Sequence, residues 1–283
     1  MDELTIHRLA AFTTDPAGGN PAGVVVTDEA LPVDTMQRVA ADVGYSETAF
    51  LVPDGRPGRW DVRYFAPEAE VPFCGHATIA AGVLLGARGD GGRLTFTTPA
   101  GEIGVTVDTA TGVARATLVS TRPTVDAADP ALVDAALGAM GWRHTVLAEG
   151  LPVAVADAGA RHLVLPVATR DLLAALRYQF DDLRAVMADA RLTTVAVVWR
   201  AAADHYHARN PFPVGGVVED PATGAAAAAL GAYLRHHRLV DPPATVRIDQ
   251  GVDMGRPSVL TVDIPAGRGG IAVSGTAVHI AAT

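Results

Sequence analysis

A chain of 283 residues with 49% apolar side chains can bury a substantial core, in one large or two medium domains. Its formal charge of −9 and pI near 5.4 argue against a basic nucleic-acid-binding face. The single cysteine, Cys74, excludes an internal disulfide and a cysteine-built zinc cage.

The acidic start, Met1-Asp2-Glu3, lacks the basic and apolar regions of a signal peptide. The most apolar run, Ala222 to Leu234, is too short to span a bilayer. A cytoplasmic enzyme with no membrane or nucleic-acid partner is the expectation.

In chain order, Leu4 to Phe12 and Ala22 to Val26 read as strands around the turn Gly18-Gly19-Asn20-Pro21. Asp34 to Val43 has helical spacing, with Gly44 as its stop. Strands are predicted at Thr48 to Val52, Trp60 to Phe65, Leu94 to Thr97, Ile103 to Val107 and Val113 to Leu118, with a helix at His76 to Leu85. The polar, proline-bearing stretch Ser120 to Asp129 is the expected crossing between halves. The division predicted is 1–120, joined by a terminal strand at 275–283, and 121–274. Beyond the crossing, Ala131 to Met140 and Asp171 to Leu176 read as helices. Thr193 to Trp199, Ala244 to Ile248, Val259 to Asp263 and Ile271 to Val273 read as strands.

The segments beginning at His76 and at Ala222 are apolar nearly all round, so each must be surrounded by protein. Short strands plus one encircled helix per half predict an α+β fold of two pseudo-symmetric domains. Each is a curved, mainly antiparallel sheet wrapped around a central apolar helix. An offset of 146 residues lays RYFAPEAEVPFCGHATIAAGVLL over RNPFPVGGVVEDPATGAAAAALG, pairing Arg63 with Arg209, Cys74 with Asp220 and Leu84 with Leu230. Ligands favour the crevice between such domains.

Cys74 and Asp220 each precede a buried helix, whose first turn presents unpaired N–H groups and a partial positive charge. Two such helix starts would hold a substrate carboxylate without lysine or arginine. Taken alone, Asp220 reads first as a helix cap, with Pro221 in the first turn, a reading compatible with facing a substrate. Cys74 reads as a small buried apolar side chain or as a reactive thiol; a two-thiol racemase is excluded, because the chain has one cysteine. His76, next to Gly75, can shuttle a proton or bond a carbonyl. Glu47, between a helix stop and the strand TAFLV, reads on composition as a surface turn residue. Partly buried there, it would suit both taking and giving a proton. His205 and His207 alternate on a strand and read as solvated, with no third metal ligand at a telling spacing. No G-x-G-x-x-G or phosphate loop is present, so nicotinamide and nucleoside triphosphate cofactors are not indicated.

The segments AFTTDPAGGNPAGVV, GYSETAFL, RYFAPEAEVPFCGHATIAAGVLL, ARNPFPVGGVVEDPATGAAAAALGAYL, DQGVDMGRPSVLTV and AVSGTAV, in order from residue 11 to 278, resemble the PhzF-like isomerases of the diaminopimelate epimerase-like fold. The resemblance implies two domains with the site between them, a homodimer and no cofactor; a small carboxylate-bearing substrate and no metal site are the expectations read beside it. It places the acid/base residue at Glu47, the histidine after glycine at His76 and an aspartate at Asp220. Gly75 would allow close backbone approach. Cys74, Thr223, Gly224 and Ala225 would line the substrate. Gln250 falls in the family's QG segment without an assigned role. The chain departs at Ala225, where phenazine-pathway members carry a serine thought to contact trans-2,3-dihydro-3-hydroxyanthranilate. Other readings of the same fold are a Cys74-dependent enzyme and a non-catalytic small-acid binder.

Overall fold

The computed structural model describes residues 4–281. Contacts divide them into two compact units: one running up to Val119 and resuming at Ser274, the other spanning Ser120–Val273. Each is a mixed sheet around one helix, the α+β arrangement predicted.

The first unit contains β1 (Ile6–Ala11), β2 (Asn20–Val26), α1 (Val33–Val43), β3 (Glu47–Pro53), β4 (Arg59–Phe65), β5 (Glu70–Val71), α2 (Gly75–Ala87), β6 (Gly92–Thr98), β7 (Gly101–Asp108) and β8 (Arg115–Val119). It is completed by the last strand of the chain, β17 (Ala272–His279). The pairings β1–β2–β3–β4–β6–β7–β8–β17–β1 close on themselves, so this sheet is an eight-stranded barrel. Two of its pairs, β2–β3 and β4–β6, are parallel, each bridged by a crossover that contains a helix. α2 occupies the interior. From His76 to Gly86 every residue is buried, and the helix touches β1, β2, β3, β7 and β8. α1 instead lies against one side through Met36 and Ala40, and ends where Gly44 adopts φ +69°.

The second unit contains β9 (Thr124–Ala127), α3 (Pro130–Ala139), β10 (Ala154–Asp157), β11 (Arg161–Pro166), α4 (Arg170–Ala174), α5 (Phe180–Asp189), β12 (Thr194–Ala202), β13 (His205–Phe212), β14 (Val217–Asp220), α6 (Gly224–His236), β15 (Ala244–Gln250) and β16 (Ser258–Ile264). The order β9–β10–β11–β12–β13–β15–β16 repeats the antiparallel and parallel sequence of the first unit, with β11–β12 and β13–β15 parallel. α6 takes the place of α2, buried from Ala226 to Leu234. A separate apolar layer joins α3 and α5 to the sheet through Leu137, Leu165, Leu183 and Met187.

Several details differ from the sequence reading, which placed no element at α5, β10, β11 or β14. The stretch 120–129 is not only a crossing, because Thr124–Ala127 forms a strand that pairs with β10. Helix α6 begins at Gly224, so Pro221 lies before it and Asp220 closes β14. Among the described residues no helix is long and apolar enough to cross a membrane.

The repeat also has a register that a gapless alignment cannot carry. Arg63 donates Nε and Nη2 to the two carboxylate oxygens of Glu70, at 2.7 and 2.5 Å. Arg209 grips Glu219 in the same fork, with its Nη2 2.6 Å from Oε2. Phe65 pairs with Glu70, and Pro211 with Glu219. The arginines correspond at an offset of 146, but the glutamates and the helix starts correspond at 149. The short 3-10 turn Pro213–Gly215 supplies the extra length. Thr223, not Asp220, is therefore the counterpart of Cys74, and both are N-cap residues.

Candidate active site

In the first unit, Ser46 and Glu47 enter β3 while Cys74 caps α2, and the fold brings these two chain positions together. His76 Nε2 lies 3.3 Å from Glu47 Oε2 and 3.3 Å from Ser46 Oγ. Its other ring nitrogen, Nδ1, lies 3.4 Å from Cys74 Sγ. The carboxylate, thiol and imidazole thus form one compact group. Cys74 and His76 are buried, and the Glu47 side chain is 19% exposed. Glu47 is not a surface turn residue: it opens the strand and pairs with Ala22 of β2.

Glu47 Oε2 is shielded from solvent and accepts no hydrogen bond from the protein. Its contact with His76 is within ion-pair range but misaligned for a hydrogen bond, so the oxygen keeps its lone pairs available. The helix start behind the group is braced by a hydroxyl chain. Thr78 donates to the Cys74 carbonyl at 2.7 Å, and the buried Tyr64 hydroxyl contacts Thr78 at 2.6 Å. Because Thr78 spends its proton on that carbonyl, Tyr64 is the donor of the second bond. Burial pushes the Tyr64 phenol well above its ordinary range, so it stays protonated. Gly75 is the first residue of α2.

In the second unit, Asp220, Thr223 and Gln250 form a different network. Thr223 Oγ1 donates to Asp220 Oδ2 at 2.6 Å. The buried Gln250 amide accepts from the Thr223 backbone N–H at 3.1 Å and donates to the Asp220 carbonyl at 2.7 Å and to Thr223 Oγ1 at 3.0 Å. Gln250 therefore ties the end of β14 to the start of α6, a role with no local sequence signal because it reaches back 27 residues. Gly224 and Ala225 are the first two residues of α6. At both α2 and α6 the N-cap side chain makes no capping bond.

His205 and His207 are solvated only in part, with side chains 32% and 20% exposed. His205 Nε2 is 2.8 Å from Asp249 Oδ2, and both imidazoles are largely covered. The partner comes from β15, which the sequence separates from β13 by α6.

Two like units, each a sheet around an apolar helix, make up a fold that solved structures share. A probable proline racemase from Agrobacterium radiobacter shares that fold, with a TM-score of 0.67 at 11% identity over 98% of this chain and 91% of its own. The phenazine biosynthesis-like profile (PhzC-PhzF) matches residues 9–283. A trans-2,3-dihydro-3-hydroxyanthranilate isomerase from Pseudomonas aeruginosa is 32% identical over 258 residues, covering 89% of this chain and 88% of that protein. A PhzF-family phenazine biosynthesis protein from Bacillus anthracis superposes with a TM-score of 0.86 at 26% identity, covering 99% and 98% of the two chains. The chain belongs to the phenazine biosynthesis-like, or PhzF, family, and it is an isomerase.

Proposed function

We propose that this isomerase moves a proton within a small carboxylate-bearing substrate by general acid/base catalysis at Glu47, with no cofactor. The observation that carries the reading is Glu47 Oε2: buried, unbonded by the protein, and 3.3 Å from a buried imidazole. A shielded polar atom without a partner calls for an explanation, and a catalytic role is one. As a carboxylate it takes the proton from an acidic C–H; as the carboxylic acid it returns that proton to another carbon of the same molecule. His76, through Nε2, contributes a hydrogen bond to charge that develops on the substrate. The Cys74–Gly75 start of α2 offers backbone N–H groups to an anionic group. Trans-2,3-dihydro-3-hydroxyanthranilate, named for the Pseudomonas relative, is the first substrate to test, although Ala225 lacks a hydroxyl.

The decisive experiment is Glu47→Gln with deuterium incorporation from solvent. Turnover is expected to fall about 10²–10⁴-fold, the usual share of a general acid/base group, and exchange into substrate to stop. Full activity in that variant removes Glu47 from the role. A thiol-dependent enzyme is the second reading, supported by the 3.4 Å contact of Cys74 Sγ with His76 Nδ1. For Asp220, Asp220→Asn with KM and kcat measured separately tests a part in substrate binding: a raised KM at unchanged kcat is expected.

A further inference from the structure

The second unit holds a group of ligand-type atoms that the isomerase reading does not use. Strands β13 and β15 pair in parallel, setting His205 opposite Arg247 and His207 opposite Asp249. Alternation sends Tyr206, Ala208, Ile248 and Gln250 into the core and leaves His205, His207, Arg247 and Asp249 on the other face. There one ligand atom each from His205, His207 and Asp249 lies within 4.8 Å of the others.

We infer that His205, His207 and Asp249 form a binding site for one divalent transition-metal ion of the zinc, cobalt or nickel kind. Two imidazoles and one carboxylate suit borderline metals; calcium and magnesium prefer sites built of oxygen. Ligand atoms about 2.0–2.2 Å from a shared tetrahedral ion stand roughly 3.3–3.5 Å apart. The distances of 2.8 Å from Asp249 Oδ2 to His205 Nε2 and 4.0 Å to His207 Nε2 bracket that spacing. Small side-chain rotations on fixed strands close the difference.

The carboxylate is already oriented for the task. Arg247 Nε donates to Asp249 Oδ1 at 2.8 Å, leaving Oδ2 as the oxygen that faces both rings. Outer contacts of this kind fix ligating carboxylates. His207 Nδ1 is buried without a hydrogen-bond partner in the protein, so no second hydrogen bond fixes the orientation of this ring. His205 is 32% exposed and gives an ion a way in. Three protein ligands leave a position open to solvent. A bound ion would join β13 to β15 across the α6 crossover.

The test is a Co²⁺ titration of chelator-treated protein, followed by visible absorption and metal analysis, in wild type and in Cys74→Ala. The second background removes the thiol of the separate Glu47–Cys74–His76 group. One Co²⁺ per chain is expected in Cys74→Ala, with ligand-field bands, no thiolate charge-transfer band, and displacement by Zn²⁺. Adding His205→Ala or Asp249→Asn should weaken binding at least tenfold and abolish any Zn²⁺-dependent rise in melting temperature. His205 and Asp249 serve because neither substitution needs the more covered His207 to be disturbed. Unchanged binding in both variants, or loss of all uptake with Cys74→Ala alone, overturns the proposal.

Discussion

Arg209 holds Glu219 in the second unit by the same two-pronged contact that joins Arg63 to Glu70 in the first, but in a different setting. The Arg209 and Glu219 side chains are 12% and 4% exposed, against 38% and 31% for Arg63 and Glu70. Arg209 Nη1 also donates to the carbonyls of Leu173, Ala174 and Leu176, where α4 ends. Removing one charge of a covered pair strands the other, which costs about 3–5 kcal/mol. Half-exposed pairs are worth less than about 1 kcal/mol. Glu219→Gln should therefore lower stability to denaturant far more than Glu70→Gln. Equal losses would show that burial does not separate the two pairs.

His162 carries a pH dependence. Its Nδ1 lies 2.8 Å from Thr194 Oγ1, which itself donates to Asn210 Oδ1 at 3.1 Å. The threonine must accept from the ring, so Nδ1 bears a proton. Full burial pulls its pKa down to about 3. Between that value and the ordinary 6.5, the unfolded chain binds a proton that the folded chain refuses. Stability is then complete above the ordinary value and falls as pH drops toward the depressed one, by several kcal/mol at about 1.4 kcal/mol per unit. At pH near 5, His162→Gln should reduce the slope of stability against pH by about one proton. An unaltered slope would mean that the folded protein protonates His162 freely.

How far the sequence carries is clear from particular elements. Helices α2 and α6 were legible because an all-apolar helix has only one place to go, and Gly44 marked a helix end because it adopts a left-handed backbone. Glu47 was legible only through the family resemblance. Its burial depends on β2 and on α2, neither of which lies near it in the chain. The match of Cys74 to Asp220 failed because the added turn at Pro213–Gly215 shifts the register just before the helix. Strand β9 hid in a polar run, since only Val125 of its four residues is partly covered and no apolar alternation marks it. Pairing between His207 and Asp249 depends on a parallel crossover, which local spacing does not report.

Gly23 shows why one strand position tolerates no side chain. It sits opposite Thr48 in the parallel pair β2–β3, as His162 sits opposite Thr194 in β11–β12. A Cβ on Gly23 would meet Thr48 Oγ1 at 2.6 Å and Cγ2 at 2.9 Å, and Thr48 is fully buried. Gly23→Ala should cost about 1–3 kcal/mol, the usual penalty for overpacking. Thr48→Ala removes both offending atoms, so the double variant should recover most of that loss in a double-mutant cycle. Additive losses would place the strain elsewhere.

Cys74→Ala and His76→Asn separate the two chemistries available at the start of α2. His76 Nε2 faces Glu47 and Ser46, while Nδ1 faces the thiol. If the carboxylate carries the proton, loss of the thiol removes one contact to the ring and leaves the Nε2 side in place. Cys74→Ala should then retain turnover to within about tenfold, whereas His76→Asn should lose about 10²-fold or more. Cys74→Ser adds a check, because serine is a good N-cap residue and should keep α2 at least as stable. A collapse of kcat in both Cys74 variants, with melting temperature preserved, would transfer the proton-carrying role from Glu47 to the thiol.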